Sequence, residues 1–243
     1  MKKKVYKNVK DVLLFAVSSN SSLIIFLEIL IGIFLSIFSF LIFIKIGRDV
    51  FQNELVNLDT NISSFIFNFR SPLLTEIMTI ISFFGSGIFL ITASLVIILF
   101  LSIRNHKKEG VLFSFILLMG FIINNLLKIL TKRPRPDVSP LLFEPTYSFP
   151  SGHSMNAFVF YASISYFIFH FTKNKKLAIL ISAFSIILIF LIGISRIYLG
   201  VHFPTDVIAG FIGGFWWFIT AILLRQTINF YKFFKESKNL SGT

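Results

Sequence analysis

The chain alternates long apolar runs with short polar segments. Apolar runs extend over residues 22–46, 75–103, 111–130, 154–171, 177–194 and 207–224. A helix needs about 20 residues to cross the hydrocarbon core of a bilayer, and helices satisfy their own backbone hydrogen bonds in lipid. The pattern therefore predicts an all-α, polytopic membrane protein of about six transmembrane helices in a bundle, forming one domain over residues 1–243.

Residues 47–76 have a different pattern, in which apolar residues recur three and four positions apart: Phe51, Leu55, Leu58, Ile62, Phe65 and Phe69. This spacing predicts an amphipathic, interfacial helix after the first span, ended by Ser71-Pro72. Such a helix packs on the surface, covers the mouth of a site or guides lipid into it, and simple surface packing is favoured. In the second run, Gly85-Ser86-Gly87 predicts a break or a close helix crossing.

Composition narrows the class of protein. Hydrophobic residues make up 55% of the chain and charged residues 14%, too few charges to cover a soluble domain of this size. The net charge of +12 would suggest nucleic acid in a soluble protein, but the Lys residues cluster in short segments beside apolar runs. We therefore expect a lipid bilayer and no nucleic acid as partner. With no Cys, the chain has no disulfide, thiolate ligand or thiol nucleophile.

The basic residues also predict a topology. Segments within residues 1–11, 104–109, 173–176 and 225–239 hold five, three, three and four Lys or Arg residues, whereas the intervening loops together hold six. With six spans these rich segments share one side, so we expect both termini, residues 1–21 and 225–243, to be cytoplasmic. The first apolar run is too long for a cleaved signal peptide. Glu28, near its basic end, is either functional or paired at the interface, and the second reading is favoured.

Three polar clusters lie on the opposite, extracytoplasmic side, at the ends of apolar runs: Lys128 to Pro136, Pro150 to His153, and Ser195 to Asp206. Because four neighbouring helices end there, a bundle can bring the clusters together without long loops. Lys128, Arg135 and Arg196 would then repel one another unless an anion lay between them, and guanidinium groups fit phosphate oxygens well. We expect a phosphate group as ligand. The neighbouring Lys132 and Arg133 are expected to be interfacial side chains that extend toward water.

Two histidines supply candidate chemistry. Asp206 is four residues after His202, so its carboxylate could bind one imidazole nitrogen and leave the other free as a base or nucleophile. We expect His202 to attack phosphorus and form a phosphohistidine. His153 would protonate the leaving oxygen and then activate water. Ser151 and Gly152 add a hydroxyl and close backbone approach at a helix start, where anions bind.

Each cluster alone has an ordinary explanation. The cations could be interfacial side chains, and His202 with Asp206 could be a capping pair at a helix start. The three clusters in this order, on a side with few other basic residues, favour a site instead.

On these residues the chain resembles the type 2 phosphatidic acid phosphatase superfamily, the lipid phosphate phosphatases. The superfamily motif K-x6-R-P is matched by Lys128 to Arg135-Pro136, P-S-G-H by residues 150–153, and S-R-x5-H-x3-D by Ser195-Arg196, His202 and Asp206. Every specified position of the three motifs is matched in this sequence. The likeness extends to the six-span layout and excludes the first ten residues and the tail.

The resemblance implies an enzyme: a metal-independent hydrolase of lipid phosphomonoester or diphosphate bonds, without a cofactor, on a helical core shared with vanadium haloperoxidases. It implies His202 as nucleophile, His153 as general acid and Asp206 as the residue that orients His202. It also implies a set of phosphate-binding residues: Lys128, Arg135, Ser151, Gly152 and Arg196. The outer segment ending in Arg70-Ser71-Pro72 looks most like the bacterial branch that acts on undecaprenyl diphosphate and phosphatidylglycerophosphate.

We expect hydrolysis of undecaprenyl diphosphate to undecaprenyl phosphate at the outer face of the cell membrane, with lateral entry of the lipid. Phosphatidylglycerophosphate or phosphatidate hydrolysis is the alternative, and phosphoryl transfer to another acceptor uses the same intermediate. A transporter or flippase is disfavoured because the polar groups lie at the boundary instead of the midplane. No obligatory protein partner is implied. The sequence leaves open the preferred lipid, the oligomeric state and the pH optimum.

Overall fold

The computed structural model describes residues 20–241, which form eight α-helices and no β-strand. The helices are α1 (Asn20–Phe51), α2 (Val56–Phe67), α3 (Pro72–Phe83), α4 (Gly87–Ile103), α5 (Lys107–Thr131), α6 (Gly152–Phe171), α7 (Lys175–Tyr198) and α8 (Pro204–Ser241). The predicted all-α class is confirmed. Residues 1–19 of the predicted cytoplasmic N-terminal segment lie outside the described residues. The predicted tail continues α8 as far as Ser241.

Four of the described helices, α1, α5, α7 and α8, are long and apolar enough to cross a membrane. Helices α3 and α4 together make a fifth candidate, bent by 43° where Gly85-Ser86-Gly87 predicted a break. Helix α6 has 20 residues, or about 30 Å. It is not among the candidate spans; it carries Ser, Asn and His residues, and eight of its residues are buried. The count of six spans stays a prediction.

The segment predicted as one helix over residues 47–76 is divided. Helix α1 continues to Phe51, the chain turns at Asn53 with a positive φ of 59°, and α2 is only 12 residues long. Helix α3 begins at Pro72, with the Ser71 hydroxyl accepting the Leu74 N–H. Polar residues and a proline at the turns therefore override the apolar spacing. An interfacial position of α2 stays a prediction.

The chain divides into two compact units. The smaller contains, among described residues, 20–38 and 219–241, in which Ile29 packs with Phe230 and Gln226 donates to the Glu28 carboxylate at 3.2 Å. Glu28 therefore has a polar partner within its own unit. The larger unit, residues 39–218, contains every residue predicted for the site.

Helix α6 is central to the core of the larger unit. The ring centroid of Phe113 on α5 lies 6.1 Å from that of Phe160 and 5.9 Å from that of Phe167, both on α6. Leu90 and Ile192 complete this cluster from α4 and α7. Because lipid tails are as apolar as these side chains, helices in a membrane are held by close packing and polar contacts more than by burial.

Helix α8 approaches α6 most closely at two glycines one turn apart. A Cβ atom on Gly210 would lie 2.8 Å from the Ser151 carbonyl oxygen, and one on Gly214 would lie 2.9 Å from the Met155 carbonyl oxygen. This approach carries the start of α8 to the start of α6, where the Ser151 N–H donates to the Asp206 carbonyl at 2.9 Å. The glycine pair thus joins two of the three polar clusters.

We expect Gly214→Ala to destabilise the protein, because its new methyl group meets backbone that cannot rotate away. The cost of such overpacking is about 1–3 kcal/mol. Alanine is the better helix former by up to about 1 kcal/mol, so propensity alone would give the opposite result. Thermal unfolding in detergent should show a lower Tm for Gly214→Ala. Gly87→Ala is the control, because no atom lies within 4 Å of a Cβ there. A Tm for Gly214→Ala at or above that of the control would contradict the packing argument.

Candidate active site

The structure brings the three polar clusters together in the larger unit. The loop between α5 and α6 docks on the connection between α7 and α8, where the Leu141 N–H donates to the Leu199 carbonyl at 2.9 Å. The same loop folds on itself, with the Ser148 N–H donating to the Arg133 carbonyl at 2.9 Å. These backbone contacts fix the side chains that follow.

His202 lies between α7 and α8 and is 2% exposed. Its Nδ1 lies 3.3 Å from the Ser148 Oγ and 3.5 Å from the Asp206 Oδ2. Its Nε2 lies 3.1 Å from Nη1 of Arg135. A guanidinium group only donates, so Nε2 accepts and the ring proton is assigned to Nδ1. In this tautomer Nε2 is unprotonated, and its lone pair accepts the hydrogen bond from Arg135.

Burial lowers the pKa of His202 well below its usual value of 6.5, and the neighbouring Arg135, Lys128 and Arg196 charges act in the same direction. The imidazole is therefore neutral at neutral pH. A neutral ring with Nε2 unprotonated is the form that can act as a nucleophile.

The expected contact between His202 and Asp206 involves a third residue. The Ser148 hydroxyl donates a short hydrogen bond to Oδ2 of Asp206 and lies beside Nδ1 of His202. The Phe203 N–H also donates to this oxygen, at 2.9 Å. Sequence reasoning missed Ser148, because a single Ser in a loop has no pattern that distinguishes it.

Arg133 is not the interfacial side chain that we expected. It is 13% exposed, and its guanidinium contacts Oδ1 of Asp206 at 2.6 Å and Oδ2 of Asp59 at 2.7 Å. The reason is the turn after α5, where Lys132 adopts a positive φ of 49°, remains exposed and leaves Arg133 directed inward. Its position beside Arg135 was the only signal of this role.

Asp59 on α2 was also missed. It is 1% exposed and accepts the backbone N–H of Thr205 at 2.9 Å and the Thr205 hydroxyl at 2.7 Å, as well as the Arg133 contact. The signal was present in the sequence: Asp59 is four residues after Leu55 and three before Ile62, on the predicted apolar face. An acid on that face marks a buried polar contact.

The three predicted phosphate-binding cations surround the histidines. Lys128 donates to the carbonyl of Tyr147, and Arg135 donates to the Val201 carbonyl at 2.7 Å as well as to His202. Arg196 is 1% exposed and donates to the Ser82 hydroxyl. The Nε atom of Arg196 is the one buried side-chain nitrogen or oxygen without a hydrogen-bond partner in the described part of the chain. A buried, unpartnered guanidinium N–H is suited to an anion.

Glu144, which sequence reasoning missed, occupies the space between two of these cations. Its Oε1 makes a short contact with Nη2 of Arg196, and its Oε2 lies 3.9 Å from Nη2 of Arg135. The carboxylate thus lies where the converging cations predicted a phosphate. Its only sequence signal was an acid in a loop between two basic clusters.

His153, Ser151 and Gly152 lie at the start of α6. His153 is half-buried and lies within electrostatic range of His202 and of Lys128, Arg135 and Arg196. Both imidazoles therefore share one group of cations. Ser151 is fully buried, and its hydroxyl caps α6 by accepting the Ser154 N–H at 3.3 Å. A Cβ on Gly152 would lie 3.0 Å from Asn124 Oδ1 and 3.6 Å from Lys128 Cε, so the glycine permits close approach of α5.

The charges of the site divide into two groups. Arg133 is shared by two carboxylates, those of Asp59 and Asp206. Among the described residues, Arg135 and Arg196 have Glu144 as their one carboxylate within ion-pair distance, and Asp206 acts on Lys128 and Arg135 from farther away. Four cations and three carboxylates give the site a net charge of +1 beside the neutral His202 ring. A phosphate monoester carries about −1.5 to −2 at neutral pH, opposite in sign to this net charge.

Comparisons with known proteins agree with this geometry. Residues 109–230, which include all three polar clusters, match the family model described as the PAP2 superfamily. Phosphatidylglycerophosphatase B of Bacillus subtilis is 37% identical over 178 residues, covering 71% of this chain and 85% of that protein. An undecaprenyl-diphosphatase of Sulfolobus acidocaldarius is 28% identical over 160 residues, covering 63% and 72%.

The fold of this chain is similar to that of a solved PAP2 structure. The crystal structure of the transmembrane PAP2 type phosphatidylglycerolphosphate phosphatase from Bacillus subtilis superposes with a TM-score of 0.75 at 34% identity. The match covers 79% of this chain and 96% of the solved one. The resemblance inferred from the motifs is thereby confirmed, and the chain belongs to the PAP2 superfamily of membrane lipid phosphatases.

Proposed function

We propose that the chain removes a phosphate group from a membrane lipid through a phosphohistidine at His202. One observation carries the proposal. A buried, neutral imidazole presents its unprotonated Nε2 to Arg135, within a site whose charged side chains have a net positive charge. That arrangement both binds a phosphate and supplies a nucleophile for it.

Binding comes first. The lipid phosphate replaces the Glu144 carboxylate between Arg196 and Arg135, and Lys128 holds a third oxygen. Each charge-assisted hydrogen bond contributes about 1.5–3 kcal/mol. Contacts that tighten as charge builds on the equatorial oxygens of the transition state raise the rate as well as the affinity.

Phosphoryl transfer then follows in two steps. Nε2 of His202 forms a bond to phosphorus while the bond from phosphorus to the lipid oxygen breaks, and His153 gives its proton to that oxygen. The positive charge that develops on the His202 ring is stabilised by Asp206 and Ser148 on the Nδ1 side. In the second step His153 takes a proton from water, the water oxygen bonds to phosphorus, and the electron pair of the N–P bond returns to Nε2.

The charge on the phosphoryl oxygens is balanced by side chains, so we propose that the reaction needs no metal ion. Transport without cleavage is the alternative from a different class. Transport would give no role to the two imidazoles or to the Asp206 carboxylate near Nδ1 of His202, because cations are sufficient to bind an anion.

For the substrate, similarity supports phosphatidylglycerophosphate first, since a relative at 37% identity and a solved neighbour at 34% identity carry that activity in their names. Similarity to an undecaprenyl-diphosphatase supports undecaprenyl diphosphate, the lipid that the resemblance to the bacterial branch put first. Both present a terminal phosphate on a lipid. Release of inorganic phosphate from each, with phosphatidate for comparison, decides between them.

We expect purified protein to release phosphate in EDTA, and His202→Ala to lower kcat by roughly 10³-fold or more, as loss of a nucleophile does elsewhere. His106→Ala is the matched control, because that ring is exposed and contacts Glu109 and Phe171, neither of which belongs to the site. Activity abolished by the chelator would refute a metal-free reaction. Equal rates for His202→Ala and His106→Ala would remove His202 from the proposed role.

The His202 ring is expected to be neutral and protonated on Nδ1 at pH 6.5, because burial and three neighbouring cations disfavour the imidazolium. Protonation, and with it loss of the nucleophile, should occur only as the pH falls well below 6.5. Nitrogen NMR of histidine-labelled protein in micelles measures this directly, with His202→Gln to assign the signal. A ring half-protonated at pH 6.5 or above would contradict the expectation.

We further propose that the site faces the outside of the cell, as the Lys and Arg distribution predicts. Phe143 is 90% exposed in the loop between α5 and α6, and the chain has no native Cys. Phe143→Cys should therefore react with an impermeant thiol reagent in intact cells, whereas Asn105→Cys, in the exposed turn before α5, should react only after lysis. The reverse pattern would place the site on the cytoplasmic side.

A further inference from the structure

Arg133 occupies an unspecified position of the K-x6-R-P motif and contacts none of the residues proposed to hold phosphate. Its guanidinium lies between two buried carboxylates, with Nη1 at 2.6 Å from Oδ1 of Asp206 and Nη2 at 2.7 Å from Oδ2 of Asp59. Asp206 is fully buried and Asp59 is 1% exposed. Arg133 is the only cation within ion-pair distance of either aspartate, apart from the His202 ring, among the described residues.

A carboxylate removed from water this completely stays ionised only if a cation and hydrogen bonds compensate its charge. Arg133 compensates Oδ1 of Asp206, which leaves Oδ2 for the Ser148 hydroxyl, the Phe203 N–H and the side of His202 that carries Nδ1. The guanidinium therefore decides which carboxylate oxygen faces the imidazole.

Arg133 also holds Ser148, the other residue beside Nδ1 of His202. The backbone carbonyl of Arg133 accepts the Ser148 N–H at 2.9 Å. The guanidinium itself is held on three sides. It donates to Asp59, donates to the Thr205 hydroxyl at 2.9 Å, and lies 4.2 Å from the ring centroid of Phe203. Asp59 in turn accepts the backbone N–H of Thr205 at 2.9 Å.

We propose that Arg133 is a positioning residue for the reaction. It keeps Asp206 ionised and turned toward His202, and Asp59 of α2 keeps Arg133 in place. The role rests on the proposed function of His202, and it gives helix α2 a part in the site that its amphipathic pattern did not suggest.

Removal of the Arg133 charge should shift the pKa of His202 in a predictable direction. Loss of this positive charge leaves the Asp206 carboxylate shared only with the His202 ring, so the imidazolium form of His202 is stabilised and the pKa of His202 rises. The nucleophile is then protonated at a higher pH than in the wild type. The other charged or titratable groups facing this pair are unchanged by the substitution: Asp59 on α2, Lys128 on α5, Arg135 and Glu144 in the loop, His153 on α6 and Arg196 on α7.

The test compares Arg133→Gln with Arg48→Gln, an arginine that is 62% exposed and pairs with Asp49 at 3.2 Å. For Arg133→Gln we expect kcat to fall on the order of 10²-fold, as misplacement of a catalytic group does, with KM within about twofold because the phosphate-holding cations remain. The acid limb of the kcat/KM profile should move to higher pH. Arg48→Gln should match the wild type in all three quantities.

Chemical rescue separates positioning from folding. A cavity of about 280 Å³ is lined by Arg133, Phe203, Phe149 and Val50, so a small cation can reach the space left by Arg133→Ala. Guanidinium ion, well below denaturing concentration, should restore part of kcat in Arg133→Ala, and urea of the same shape without charge should not. Equal effects of both would overturn the positioning role.

The double variant Asp59→Asn/Arg133→Gln controls for misfolding of Arg133→Gln. In the single variant Asp59 is left buried without its cation, and the second substitution removes that unpaired charge. The double variant should unfold at a higher temperature than Arg133→Gln and recover no activity. Wild-type kcat in this double variant would overturn the inference.

The titration of His202, followed by nitrogen NMR without substrate, distinguishes this inference from the proposed function. A His202 pKa in Arg133→Gln that equals the wild-type value overturns the positioning role whatever the activity. A raised pKa together with no phosphate release by the wild type supports the positioning role and counts against the proposed function alone.

Discussion

Lys128, Arg135 and Arg196 bring three like charges into one half-buried space, and their mutual repulsion is the constraint on which the site depends. In a medium of low dielectric this repulsion is far larger than in water. The fold offsets it with acceptors at fixed positions: the Tyr147 and Val201 carbonyls, the Ser82 hydroxyl and the Glu144 carboxylate. The loop between α5 and α6 supplies two of these four, which explains why a segment without regular structure is held by so many backbone contacts.

Helix packing makes that compensation possible. Without the close approach at Gly210 and Gly214, the starts of α6 and α8 would separate, and the Asp206 carbonyl would no longer meet the Ser151 N–H. The same approach sets the distance between His153 at the start of α6 and His202 just before α8. A backbone contact between two apolar helices thus determines where two polar side chains lie. A bulky residue at either glycine would change the distance between His153 and His202.

Much of this arrangement could be predicted from the sequence. The apolar runs gave the helical class, the glycines at 85–87 gave the bend between α3 and α4, and the ordered motifs gave the residues that meet around His202. Arg133, Asp59, Ser148 and Glu144 were not predicted to take part. Each acts through a partner more than ten residues away, and only Asp59 had a distinguishing local pattern, as an acid on the apolar face of its segment. The end of the amphipathic helix at Ser71-Pro72 was predicted, but its start in the segment 47–76 was wrong, since spacing alone does not register the turn at Asn53.

The Glu144 carboxylate has a consequence for how the protein meets its ligand. With that side chain between Arg196 and Arg135, the arginines are already neutralised in part and held apart at a spacing that suits an anion. Under the proposed function, an incoming phosphate would displace a carboxylate of the same chain. Its affinity would then be the difference between the binding of two anions, and the return of Glu144 would assist release of the product.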